Sequence, residues 1–193
     1  MQTVISLKPG GYYHIFDRGV DRESIFFEER NYLRFLDLFG HHITPVAEIF
    51  AYCLLRNHFH FLVRIRVEPQ IQPPAASKAF NNLLTAYAKS INKVYGRTGP
   101  LFQHHFGRIP ISTDRYLSSL VRYIHNNPCK HGFVKNFQDW PFSSYHELAS
   151  RAFTPLARPK VLEWFGNVGG FRNSHNHELN EHDLLPVIGK DMD

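Results

Sequence analysis

The sequence predicts an α+β sandwich in which an antiparallel sheet carries helices on one face. Three observations predict it. Two apolar runs, Val46 to Leu55 and His58 to Arg66, are separated only by a short polar turn at Arg56-Asn57, which reads as an antiparallel hairpin. The second run alternates, with Phe59, Phe61, Val63 and Ile65 on one side, so one face of the sheet is apolar. Amphipathic helical stretches separate the other strands, and the order reads β-α-β-β-α-β-α.

Gly11 to Val20 reads as a strand ending in a turn at Arg18-Gly19. Glu28 to His42 sets Tyr32, Phe35, Leu36 and Phe39 along a helical stripe, which Pro45 breaks. After the hairpin, Val67 to Ala75 is proline-rich and reads as a loop. Ser77 is placed to cap the next helix, which runs to about Tyr95 and is closed by Gly96 and Gly99. Leu101 to Ile111 is either an aromatic-rich strand or irregular chain with a strand at its end. Asp114 is expected to cap a helix bearing Tyr116, Leu117, Leu120, Val121, Tyr123 and Ile124. Asn127-Pro128 should stop that helix, because the residue before proline is pushed away from helical angles. Beyond Gly132 the pattern weakens to a Trp-Pro pair, a short helix near Lys160 to Phe165 and a polar tail. A domain over residues 1–150 with a C-terminal extension over 151–193 is expected.

A chain of 193 residues can bury a core, and 43% hydrophobic with 20% charged residues is ordinary globular usage. No apolar run reaches the ~20 residues of a membrane span. Met1 to Gly10 lacks a basic segment followed by an apolar core, so no secretory signal is read. Cys53 and Cys129 form no disulfide framework and no CxxC pair. The cytoplasm is the expected compartment. The net charge of +5 suits a polyanionic partner without proving one. Aromatics beside basic residues offer surfaces on which single-stranded nucleic acid stacks, although most of the 17 Phe are better read as core.

Side chains alternate across a strand, so His58 and His60 share the face opposite Phe59 and Phe61, the open face of the sheet. A metal could sit between the two imidazoles. Because the chain has 13 His, spacing alone leaves metal binding and a chance pair equally open. The adjacent His104 and His105 would diverge on a strand and are poorer candidates. Tyr123 and Asn127 are four residues apart and share one helix face. Asn offers a hard oxygen ligand, and Tyr a phenol that becomes a nucleophile when deprotonated. Without the histidines, Tyr123 would be read as another packing residue.

His58-Phe59-His60 within LLRNHFHFLV resembles the His-hydrophobic-His signature of the HUH single-strand endonucleases. YHIFDRG (Tyr13 to Gly19), NHFHFLV (Asn57 to Val63), LFQHHFGR (Leu101 to Arg108) and YIHNNPCKHG (Tyr123 to Gly132) together resemble the single-tyrosine transposases of insertion sequences. DWPFSSYHE, Asp139 to Glu147, is most like the REP-associated tyrosine transposases. The resemblance covers about Gly11 to Glu147. It implies a ferredoxin-like sheet, with His58 and His60 as metal ligands, Tyr123 as nucleophile and Asn127 as the third polar ligand. Arg56 stands where many members have proline, and Asp17 where an Asn is common; both departures bear on substrate contacts. Relatives of small insertion sequences work as dimers, but the longer chain and the DWPFSSYHE segment favour a monomer over a homodimer.

The chemistry implied is cleavage of single-stranded DNA near a hairpin, through a 5′-phosphotyrosine that keeps the bond energy for rejoining. Two imidazoles and an amide bring no negative charge, so Mg²⁺ or Mn²⁺ with phosphate oxygens fits better than a closed zinc site. Tyr123, with an ordinary pKa of about 10, must lose its proton on attack. Arg18, Arg22, Arg64, Arg108 and Arg122 are candidate phosphate contacts, each of which could equally be a solvated charge. Three rival readings remain. A nucleic-acid-binding module of RNA-recognition type would place aromatics rather than imidazoles on the open face. A direct phosphodiesterase would not need Tyr123. A domesticated hairpin-binding protein would no longer move DNA.

Overall fold

The computed structural model describes residues 5–69, 71, 73–103, 105–113, 115–180 and 184–188. The elements follow the expected order: β1 (Tyr12–Arg18), α1 (Glu29–Ile43), β2 (Ala47–Leu55), β3 (His58–Ile65), α2 (Pro73–Tyr95), β4 (Gly107–Ile111) and α3 (Arg115–Lys130). Among the described residues, four short α-helices follow: α4 (Tyr145–Ala149), α5 (Arg158–Trp164), α6 (Val168–His175) and α7 (Leu185–Ile188). The strands form one antiparallel sheet in the order β2-β3-β1-β4, the interleaved ferredoxin-like arrangement. β1 sits between β3 and β4, with Phe16 opposite His60 on one side and Gly107 on the other. Gly107 is required there: a Cβ would lie 2.1 Å from the Phe16 ring.

α1 and α2 cover one face of the sheet. Phe39 stacks on Phe61 with ring centroids 4.0 Å apart, and Phe35 packs on Phe59 at 5.2 Å, so the alternation of β3 delivers its aromatics to this layer. Burial of such side chains contributes roughly 1.5–3 kcal/mol each. A capping box between Glu28 and Asn31 starts α1. The DWPFSSYHE segment closes the free edge of β2: the Leu54 amide donates to the Phe142 carbonyl (2.9 Å), and the Ser144 amide to Tyr52 (3.0 Å).

Several local expectations are corrected. Ser77 does not cap α2, which begins at Pro73, because prolines fit a first turn whose amides have no helical acceptor. α3 does not stop at Asn127-Pro128 but runs to Lys130, with Pro128 inside its last turn. The proline removes one hydrogen bond, yet the buried stripe of α3 holds the turn against the sheet, and Gly132 (φ 70) ends the helical register. Leu101 to Ile111 is irregular chain with a strand at its end. His104 and the expected cap Asp114 lie outside the described residues.

The face bearing His58 and His60 is not open. α3 lies across β2 and β3, α7 lies against β4, and Trp164 of α5 stacks on Phe50 at 5.1 Å. The physical reason is the apolar stripe Leu117, Leu120, Val121 and Ile124 of α3, which has to be buried and finds this face. Within residues 151–193, Val161 and Phe171 are fully buried. Cys53 and Cys129 are both free.

Candidate active site

The parity of β3 and the stripe of α3 bring the sequence-predicted residues together. The His58 and His60 rings stand edge-on with centroids 5.2 Å apart. The Tyr123 ring lies 5.7 Å from that of His60, and His131 lies 4.7 Å from His58. Tyr123, Asn127 and His131 recur at helical spacing, and the His131 amide donates to the Asn127 carbonyl (3.0 Å). Asn127 therefore occupies the middle of a stripe whose two ends rest on the two imidazoles.

All four predicted groups are buried, with relative exposures of 1% for His58, 0% for His60, 1% for Tyr123 and 0% for Asn127. Asn127 donates its Nδ2 to the Tyr123 carbonyl at 2.9 Å, leaving its Oδ1 as a bare acceptor. Among the described residues, Asn127 Oδ1, His58 Nε2 and His60 Nε2 have no hydrogen-bond partner. Leaving such atoms buried and unsatisfied costs about 1–3 kcal/mol each. A divalent cation would satisfy all three, so the donor set fits a metal. No group of three or more His, Cys, Asp or Glu among the described residues is placed to hold a metal ion, so the third protein ligand would be the Asn127 amide.

Burial sets the protonation. It pushes the His58 pKa down to about 3, helped by neighbouring His131, Arg18 and Lys130, and holds His60 well below the ordinary histidine value. His14 is pushed down to about 4 by burial, against an opposing bond to the Val187 carbonyl. These rings are neutral, the form in which imidazole is a ligand. The Lys130 ammonium lies 5.4 Å from the centroid of the Tyr123 ring.

Arg18 is the candidate phosphate contact brought to this cluster, facing His58 across the β1–β3 pair. Arg22 sits exposed on a short 3-10 turn at the same end, where Asp21 (φ 52) and Arg22 (φ 61) are both left-handed. The others lie apart. Arg64, towards the other end of β3, bonds to the Gly10 carbonyl (3.2 Å) and Glu48 (3.4 Å). Arg108 turns to the α2 side and bonds to Ser77 (3.0 Å). Arg122 donates to the His177 carbonyl (2.7 Å) beside a cavity of about 400 Å³.

Over 126 residues the chain is 29% identical to a Haemophilus influenzae protein provisionally named a REP-associated tyrosine transposase, covering 62% of this chain and 68% of that one. Over 124 residues it is 28% identical to the REP-associated tyrosine transposase of Escherichia coli K12, covering 64% and 66%. The chain is similar to the REP-associated tyrosine transposases. The aligned stretch spans about two thirds of each curated relative. No family model matches it. Among solved structures, a REP-associated tyrosine transposase bound to a REP hairpin shares the fold, with a TM-score of 0.60 at 22% identity over 80% of this chain and 88% of that one.

The two departures from the family's pattern have clear places. Arg56 bonds to Ser24 (2.9 Å), and its carbonyl accepts from Ile25 and Phe26, tying the loop after β1 to the hairpin turn. Asp17 is buried on the α1–α2 side of β1, where burial raises its carboxyl pKa to about 7. Sequence reasoning missed three neighbours of the site. His131 keeps the spacing of Tyr123 and Asn127 but lies past a proline read as a stop. Lys130 lies past the same stop. His14 could be found only through the β1–β3 register, which the sequence does not display.

Proposed function

We propose that the chain nicks and rejoins single-stranded DNA beside a hairpin, holding the cut end as a 5′-phosphotyrosine on Tyr123. The observation that carries this reading is that three buried lone-pair atoms, on His58, His60 and Asn127, have no partner, while the Tyr123 ring one helical turn before Asn127 lies 5.7 Å from that of His60. His58 Nε2, His60 Nε2 and Asn127 Oδ1 would hold Mg²⁺ or Mn²⁺. When bound, the cation polarises the scissile phosphate and neutralises developing charge. The Tyr123 oxygen attacks phosphorus, the bond to the 3′ oxygen breaks, and the proton lost from the phenol balances the one gained by the 3′-OH. The Lys130 ammonium stands beside this phenol, over its ring. Arg18 orients the strand at the β3 end.

The names of the curated relatives and the hairpin bound by the structural neighbour support the substrate class. Residues 1–150 carry the chemistry, and residues 151–193 are a C-terminal extension. The protein acts as a monomer on cytoplasmic DNA; no helix among the described residues is long and apolar enough to cross a membrane. Because the four groups are buried, a strand reaches them only when the packing over that face opens. The test is incubation of the whole chain with single-stranded hairpin DNA and Mn²⁺, read on a denaturing gel. A covalent adduct and a free 3′-OH are expected, both lost in EDTA. Cleavage unchanged by EDTA, or cleavage with no adduct, would overturn the reading.

A further inference from the structure

We propose that His14 is a positioning residue that fixes which nitrogen of His60 is bare, through a relay ending on the carbonyl of Val187. This inference rests on the reading of His60 as a metal ligand. His14 is fully buried in β1, its ring stacked on that of His60 with centroids 5.1 Å apart and planes 18° apart. Its Nδ1 lies 2.8 Å from the Val187 carbonyl, and its Nε2 lies 2.9 Å from His60 Nδ1.

The direction of the relay follows from the donor inventory. A carbonyl only accepts, so His14 Nδ1 carries the hydrogen. A neutral imidazole has one such hydrogen, so His14 Nε2 is a lone pair and accepts from His60 Nδ1–H. His60 must then present a bare Nε2, the same atom that lacks a partner in the site. His58 is set separately and locally: its Nδ1 donates to Asn57 Oδ1 (2.7 Å), an amide oriented by its own bond to the Arg22 carbonyl (3.1 Å). His60 depends instead on β1 and on α7, at the far end of the chain. Remove the acceptor at His14 and nothing in this relay keeps the His60 hydrogen on Nδ1.

Long-range ¹H–¹⁵N correlation NMR on the metal-free whole chain reads the tautomer directly, with the His60 ring identified by its loss in His60→Gln. The wild type should show His60 protonated at Nδ1 and bare at Nε2. His14→Phe should move the hydrogen towards Nε2 and weaken Mn²⁺ binding, followed by electron paramagnetic resonance, by about 10–100-fold. His14→Gln, whose Oε1 can accept from His60 Nδ1, should retain most of both. A wild-type His60 protonated at Nε2 overturns the proposal, and that spectrum decides even where His14→Phe fails to fold. Unchanged tautomer and affinity in a folded His14→Phe would overturn it as well. A wild type with the expected tautomer but no Mn²⁺ binding would uphold the relay and overturn the metal reading on its own.

Discussion

His60 bonds to His14 through one nitrogen and leaves the other bare, and its removal should register on both counts. Its Nδ1 is bonded to His14, so His60→Ala leaves a buried His14 nitrogen without a donor as well as deleting a candidate ligand. Cleavage should vanish, and a urea titration should show a stability loss of about 1–3 kcal/mol. Full stability would contradict the relay, and full cleavage the ligand role. The sequence placed both histidines on an open face of the sheet, since both point away from Phe59 and Phe61. That inference failed because it treated the second face as solvent. The pairs His58 with His60 and Tyr123 with Asn127 were legible because strand and helix periodicities are local. His14 was not, because its relation to His60 depends on strand register.

The elements themselves were mostly legible, since an alternating run and a polar turn define the β2–β3 hairpin without help from the rest of the chain. The start of α2 was misread because its prolines fit a first helical turn, and the end of α3 because packing against the sheet overrode the proline signal. A relay unseen in the sequence joins α3 to α6: His175 donates its Nδ1 to the Phe171 carbonyl (2.7 Å), and its Nε2 lies 2.8 Å from His125 Nδ1. His125 Nε2 in turn lies 2.8 Å from Ser144 Oγ. Protonating His175 Nε2 would set a hydrogen against the His125 N–H. Burial, with the nearby Arg122 charge, pushes the His175 pKa down to about 4, whereas an unfolded histidine titrates near 6.5. The unfolded chain therefore binds a proton first, so this contribution is intact above pH 6.5 and is lost as pH falls towards 4. Urea midpoints should decline steadily over that window. In His175→Gln the decline should be shallower, and identical pH profiles would contradict the assignment.

At the scale of the molecule, one sheet is buried on both faces: α1 and α2 build the core, while α3 and α7 close the candidate site. The first layer was legible from the apolar half of each period. The second was not, because a helix stripe declares that it must be buried but not where. A net charge of +5 with Arg18 and Arg22 at the site end makes hairpin affinity salt-dependent; it should fall about tenfold or more between 50 and 200 mM salt. An affinity insensitive to salt would exclude phosphate contacts as its source. The central claim is that Tyr123 is the nucleophile, and trypsin separates it cleanly from its neighbour on α3: Tyr116 to Arg122 forms one peptide and Tyr123 to Lys130 the next. Mass spectrometry of the adduct trapped on hairpin DNA with Mn²⁺ should find the nucleotide on the Tyr123 peptide, and Tyr123→Phe should bind the hairpin yet form no adduct. A nucleotide on the Tyr116 peptide, or an adduct that persists in Tyr123→Phe, would contradict it.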